Sequence, residues 1–351
     1  MSGQLSQAQP GDVRPGDTRS RTARSSLAAL LASSAGRNLG LVLALVVLCA
    51  VGLGTAGDRF ASTDNLLTIL RLSAVIGVVS VGMTFVIIGG GIDLSVGSIV
   101  ALASVWSTTL ATQNIAESTT FLVMVGCALL VGMGCGLVNG VLIAYGGIVA
   151  FIATLAMFAS ARGLAEQISN RQSQVVRVSS FNDVFRGELL GLPVLVWLFA
   201  VVAAAGWVLL NRTTFGRRTF AIGGNAEAAR LAGIDVRRHT TLLYVLLGLC
   251  CGIAAIMITA RTTTGTASHG QLYELDAIAA VVIGGTLLSG GRGTIVGTVF
   301  GVLVFTTVSN IFALNNLSSA TQAIAKGLII VVAVLLQRRV ARGAGLTAAA
   351  P

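Results

Sequence analysis

Ten apolar runs of roughly spanning length divide this chain, at about 39–57, 66–88, 94–112, 119–143, 151–168, 190–210, 240–260, 275–288, 295–312 and 321–337. In hydrocarbon every backbone N–H and C=O must find its partner inside its own segment, so such runs restrict the chain to membrane-spanning helices. Composition agrees. Hydrophobic residues make up 54% of the chain, charged residues only 10%, and the mean hydropathy is +0.88. A soluble domain has no interior large enough for that much apolar surface. The fold class is an all-α polytopic membrane protein of about ten transmembrane helices. The runs beside the glycine clusters at 89–91 and 284–293 are the weakest, and they predict broken or short helices there.

The charges set an orientation. A net charge of +10 would point to nucleic acid in a soluble protein, but here the arginines cluster in loops and tails. The positive-inside rule is the better account, and no nucleic-acid partner is expected. With the N-terminus inside, inner segments carry 15 of the Lys/Arg residues and outer loops five. That asymmetry predicts an even number of spans, both termini in the cytoplasm, and a cytoplasmic loop at 211–239. Residues 1–36 are polar, with Pro10, Pro15 and arginines at 14, 19, 21 and 24, and they read as a disordered cytoplasmic tail. The transmembrane domain is placed at 37–340, with 39–57 a retained first span, and 341–351 reads as a disordered C-terminal tail. The five cysteines all fall in apolar runs without metal-ligand spacing, and only two histidines exist, so no metal site is expected.

The 211–239 loop, NRTTFGRRTFAIGGNAEAARLAGIDVRRH, sets six arginines against Glu227 and Asp235. It carries both end signals of a short helix. Asn225 can cap the first turn, Glu227 sits where the helix dipole favours an anion, and Gly233 can take the left-handed closing conformation. Ile234 is the apolar residue that folds back over such an end. Ala228, Leu231 and Ala232 share one face, and Glu227 and Arg230 form an i,i+3 pair on another. A capped helix with a small apolar face outside a bilayer fits a partner protein; an ordinary structured loop fits the same spacing.

Two glycine ladders, Gly132, Gly136, Gly140 and Gly293, Gly297, Gly301, each lie at four-residue spacing on one helical face, where small residues permit close helix packing. With 43 glycines in the chain, chance also produces such spacing. A five-residue echo links VIIGG at 86–90 to VVIGG at 281–285, each preceding a break and another apolar run. Many transporters contain duplicated halves, though five low-complexity residues are weak grounds for one.

Chemistry concentrates in GGGIDLSVGS at 89–98, which places Asp93 near or inside the membrane. Three glycines let the backbone leave helical geometry, and Ser95 and Ser98 can satisfy freed groups. Asp93 reads either as a pathway residue or as a cap for the following helix. Asp93, Ser95, Asn139 and Asn310 are the translocation-pathway candidates. Arg162 and Glu166, four apart, can neutralise one another, and Glu274 and Asp276 suit a helix N-terminus. A phosphate-binding loop of the G-x-x-x-x-G-K-[ST] type needs a lysine, and the single lysine, Lys326, is followed by Gly327-Leu328. This chain therefore holds no such nucleotide site, and any ATPase must be another subunit.

Three separated motifs carry a resemblance: GGGIDLSVGS at 89–98, AIGGNAEAARLAGI at 221–234, and YELDAIAAVVIGGTLLSGGRGTIVGT at 273–298. Together they resemble the permease subunits of monosaccharide ABC importers of the ribose, xylose and galactose type, over about residues 40–340. The resemblance implies a multi-pass permease of the bacterial cytoplasmic membrane, working as a homo- or heterodimer with a second permease copy. It further implies a cytoplasmic ATPase that carries ATP and Mg, and an extracytoplasmic sugar-binding protein. Within the 221–234 motif, Asn225, Glu227, Ala228, Ala229, Arg230 and Gly233 match the segment that docks on the ATPase. No catalytic residue, metal or cofactor is implied in this chain itself. Other cargoes (a branched-chain amino acid, nucleoside or polyol) keep the same architecture, whereas an ion-coupled secondary transporter would need no ATPase.

Overall fold

The structure is a computed structural model that describes residues 34–343. The tails expected at 1–36 and 341–351 lie largely outside the described residues, although helix already covers 34–36 and 341–343. In chain order the helices are α1 (Ser34–Ala56), α2 (Asp58–Ala61), α3 (Thr63–Ile88), α4 (Val96–Ser107), α5 (Leu110–Ser118), α6 (Leu122–Ala144), α7 (Ala150–Ser169) and α8 (Ser179–Phe185). They continue as α9 (Val194–Arg212), α10 (Thr214–Gly224), α11 (Ala226–Leu231), α12 (Val236–Thr262), α13 (Tyr273–Ile283), α14 (Ile295–Leu314) and α15 (Ser319–Gly343). Four two-residue strands interrupt the all-helical expectation: β1 (Gln174–Val175), β2 (Glu188–Leu189), β3 (Leu192–Pro193) and β4 (Thr264–Gly265). β1 pairs antiparallel with β4, and β2 with β3.

Among the described residues six helices are long and apolar enough to cross a membrane: 39–56 within α1, then α3, α6, α9, α12 and α14. Ten runs were expected to span. For α4, α13 and α7 the difference arises where the backbone breaks or charge intrudes. The 94–112 run ends its helix at Ser107 and restarts at Leu110, so α4 has 12 residues; α13 has 11. At 1.5 Å per residue, helices of that length cover only about 16–18 Å of a roughly 30 Å core. The 20 residues of α7 include Arg162 and Glu166.

The core gathers around α3, α4 and α12. Almost all of α4 is buried, as is most of α3 from Ser73 onward. The first glycine ladder lies on α6 and packs against α12 in antiparallel order. A Cβ at Gly132 would lie 2.2 Å from the Gly248 carbonyl oxygen, one at Gly136 2.2 Å from that of Tyr244, and Gly140 abuts Thr241. Such contact between backbones is what small residues allow in lipid. The second ladder is only partly on a helix, because α14 starts at Ile295. Gly297 and Gly301 pack on Gly284 and Ala280, whereas Gly293 precedes the helix and abuts Thr286 and Ile88.

A polar seam joins α3 to α14 along their length. Asn310 Nδ2 donates to Asn65 Oδ1 at 2.7 Å, Ser73 and Thr306 hydroxyls meet at 2.5 Å, and those of Thr84 and Thr298 at 2.7 Å. The paired hydroxyls satisfy one another where lipid and apolar side chains offer nothing, whereas the Asn310 side-chain oxygen is buried without a partner among the described residues.

Candidate functional site

The short helix at 226–231 forms as its residues dictate. Asn225 is the N-cap of α11, its side-chain oxygen accepting from the Ala228 amide at 2.9 Å. Arg230 donates to both Glu227 oxygens, at 2.6 and 3.1 Å, on the exposed surface. That guanidinium holds the Glu227 carboxyl below the usual glutamate range, and Glu227 in turn raises Arg230. At the far end Gly233 has φ 82°, Gly233 N donates to Arg230 O and Ile234 N to Ala229 O. This is a left-handed closure with the six-to-one bond that defines it. Asp235 then caps α12, accepting from the Arg238 amide at 3.0 Å.

With both ends fixed, the helix has a defined inner and outer side. Ala229 is buried and seats α11 on the body of the protein, so it is not part of the outward surface. Ala228, Leu231 and Ala232 are exposed, Leu231 to 77%. Leu231 is thus the large apolar side chain that this ordered turn leaves open.

The two glycine breaks share one geometry. At the end of α3, Gly89 N bonds to Phe85 O, Gly90 N to Ile87 O and Gly91 N to Val86 O, with Gly90 at φ 85°. At the end of α13, Gly284 N bonds to Ala280 O, Gly285 N to Val282 O and Thr286 N to Val281 O, with Gly285 at φ 87°. The sequence echo is thus the same helix closure made twice.

Asp93 follows the first break and is fully buried. Its Oδ1 accepts from the Ser95 amide at 2.7 Å and the Ser95 hydroxyl at 2.5 Å; its Oδ2 accepts from Asn139 Nδ2 at 3.2 Å. Asn139 also donates to Ser95 Oγ at 2.9 Å, and the Tyr244 hydroxyl donates to Ile92 O at 3.3 Å. Asp93 therefore closes a turn ahead of α4, whose N-cap is Ser95, and pins that turn to α6. The structure brings three of the four pathway candidates together; Asn310 lies apart, in the α3–α14 seam. All four are covered in this conformation.

Arg162 does not pair with Glu166, which instead meets Arg171 at 3.0 Å. Arg162 donates to the carbonyls of Ala267 and His269. The segment it holds runs against α4: His269 Nδ1 lies 3.1 Å from Ser104 Oγ, and Gly270 abuts Gly97. Lys326 of α15 donates to both carboxylate oxygens of Asp276 in α13, at 3.2 Å, and stands over the Phe305 ring. Arg162, Asp276 and Lys326 were visible as polar residues in apolar runs. Their partners were not, because bonds to carbonyls 105 and 107 residues away, or to a side chain 50 residues away, leave no local pattern.

A family model described as "Branched-chain amino acid transport system / permease component" matches residues 65–334. The ribose import permease protein of Bacillus subtilis (strain 168) is 41% identical over 305 residues, covering 86% of this chain and 93% of that protein. The ribose import permease protein of Escherichia coli (strain K12) is 39% identical over 302 residues, with 85% and 92% covered. The L-arabinose transport system permease protein of Escherichia coli (strain K12) is 40% identical over 294 residues, with 84% and 87% covered. No solved structure matches the chain.

Proposed function

The chain belongs to the family of branched-chain amino acid transport system permease components, and on that premise we propose that it is the membrane subunit of an ATP-driven importer of a monosaccharide. The observation that carries the reading is α11, a capped helix whose Ala228, Leu231 and Ala232 stand open to solvent. It docks on a separate ATPase subunit, which holds ATP and Mg. A second permease copy and an extracytoplasmic binding protein complete the assembly.

The family description names branched-chain amino acids, whereas the relatives quoted above are named for ribose and arabinose. The relatives are the better guide, because they are about two-fifths identical over nearly their whole length. A family-wide description spans many cargoes. The chain crosses the membrane ten times, with α4 and α13 as short crossings and both termini in the cytoplasm. The inner excess of arginine supports that count.

The test is reconstitution with the ATPase and the binding protein in vesicles, with labelled ribose, arabinose and leucine offered in turn. A pentose should enter only with ATP. Replacing Gly233 by Val should weaken ATPase association and uptake together, since a β-branched residue at φ 82° opposes the closure of α11. Uptake driven by an ion gradient without ATP would instead make the protein a secondary transporter, and leucine entry would overturn the cargo.

A further inference from the structure

The glycine breaks and the base of α11 meet at one point. Gly223, near the end of α10, lies so close to the end of α3 that a Cβ there would stand 1.7 Å from the Ile88 carbonyl oxygen and 2.7 Å from the Gly291 amide. That amide donates to the same Ile88 carbonyl at 2.8 Å. Gly290, in the link between α13 and α14, touches both other strands of the junction: its Cβ position is 2.8 Å from Gly223 O and 3.1 Å from Gly90 Cα. No side chain intervenes among these three segments.

The helix carrying Gly223 is held to the same wall elsewhere. The Phe215 and Phe85 rings lie 6.1 Å apart, joining α10 to α3, and the Thr219 hydroxyl meets His239 Nε2 at 2.9 Å, joining α10 to α12. Two residues separate Gly223 from the first turn of α11. A packed interior transmits displacement because it has little room to absorb it. Backbone against backbone has even less, having no rotamers to yield.

We propose that Gly223 is the positioning residue through which movement of α11 reaches both membrane breaks at once. Displacing it shifts Ile88, which leads into the Asp93 turn and α4, and the Gly290-Gly291 link, which joins α13 to α14. One docking helix thereby moves the two short helices together rather than in sequence. The inference rests on the reading of α11 as the ATPase contact. It adds a route that the contact alone does not define.

The experiment is hydrogen–deuterium exchange on the reconstituted permease–ATPase complex, with and without a non-hydrolysable ATP analogue and Mg. In the wild type, exchange should change together in 221–234, 86–91 and 284–293, the Gly291 amide being the direct reporter. Gly223→Ala should keep the response in 221–234 and lose it in the other two segments. Gly224→Ala, whose Cβ would meet nothing within 4 Å, should respond as the wild type does. A purely structural role for Gly223 would change exchange with and without nucleotide alike. A wild-type response confined to 221–234, or a full response in Gly223→Ala, overturns the route. Should Gly223→Ala fail to fold, the wild-type comparison still decides. Absence of any response in 221–234 would show that α11 does not meet the ATPase, and the proposed function would fall with the route.

Discussion

Asp93 sits fully buried beside an apolar helix, yet its carboxylate accepts from the Ser95 amide, the Ser95 hydroxyl and the Asn139 side chain. Removing it strands those donors in a place water does not reach, at about 1–3 kcal/mol for each one left unsatisfied. Asp93→Ala should therefore lower the thermal unfolding midpoint in detergent clearly more than Asp93→Asn, which keeps an acceptor for the turn. Equal midpoints for the two would mean that the hydrogen bonds contribute little. At this scale the sequence was informative wherever the interaction is local. The Asn225 cap, the Glu227–Arg230 pair and the Gly233 closure all lie within nine residues and follow from residue type alone. The tie from Asp93 to Asn139 spans 46 positions, and nothing near either residue announces it.

Between elements, charge does what apolar packing cannot. α15 meets α13 through Lys326 and Asp276, whose side chains are 24% and 9% exposed. Removing one partner of a buried pair costs about 3–5 kcal/mol, because the other charge is left without compensation; the partial exposure of Lys326 places this pair toward the lower end. Asp276→Asn should lower the unfolding midpoint, and Lys326→Met combined with Asp276→Leu should recover most of the loss. A double variant as unstable as the single would assign the loss to something other than the stranded charge. Element length is also where hydropathy alone is silent, although the glycine clusters predict short helices there. Hydropathy registers that 94–112 and 275–288 are apolar, but not that Thr108 and Gly284 end their helices. A run of apolar residues reports solvent preference, whereas the end of a helix depends on backbone closures such as those at Gly90 and Gly285.

For the molecule as a whole, the arginine distribution makes a prediction that is independent of any helix boundary. Cysteine placed at Gln172, in a version without the native cysteines, should react with an impermeant maleimide added outside intact cells. Cysteine at Ser289 should react only after the membrane is opened. Both positions are exposed in the structure, so access to the reagent is decided by the side of the membrane. Labelling of Ser289→Cys from outside would invert the topology and remove α11 from the reach of any cytoplasmic ATPase. The repeated closure at Gly90 and Gly285 belongs to this scale too. It gives physical substance to a five-residue echo that was too short to carry weight by itself.

Lys326 is the only lysine in the chain, and the structure commits it to Asp276 between two helices. Amine-directed chemistry, the usual means of mapping neighbours in a multi-subunit complex, therefore finds no free lysine on this subunit. A lysine-specific protease likewise has a single place to cut, inside α15. Cross-linking of the assembly will have to rely on carboxylates, on arginine or on introduced thiols, and an amine map showing this subunit without neighbours would say nothing about whether it has any.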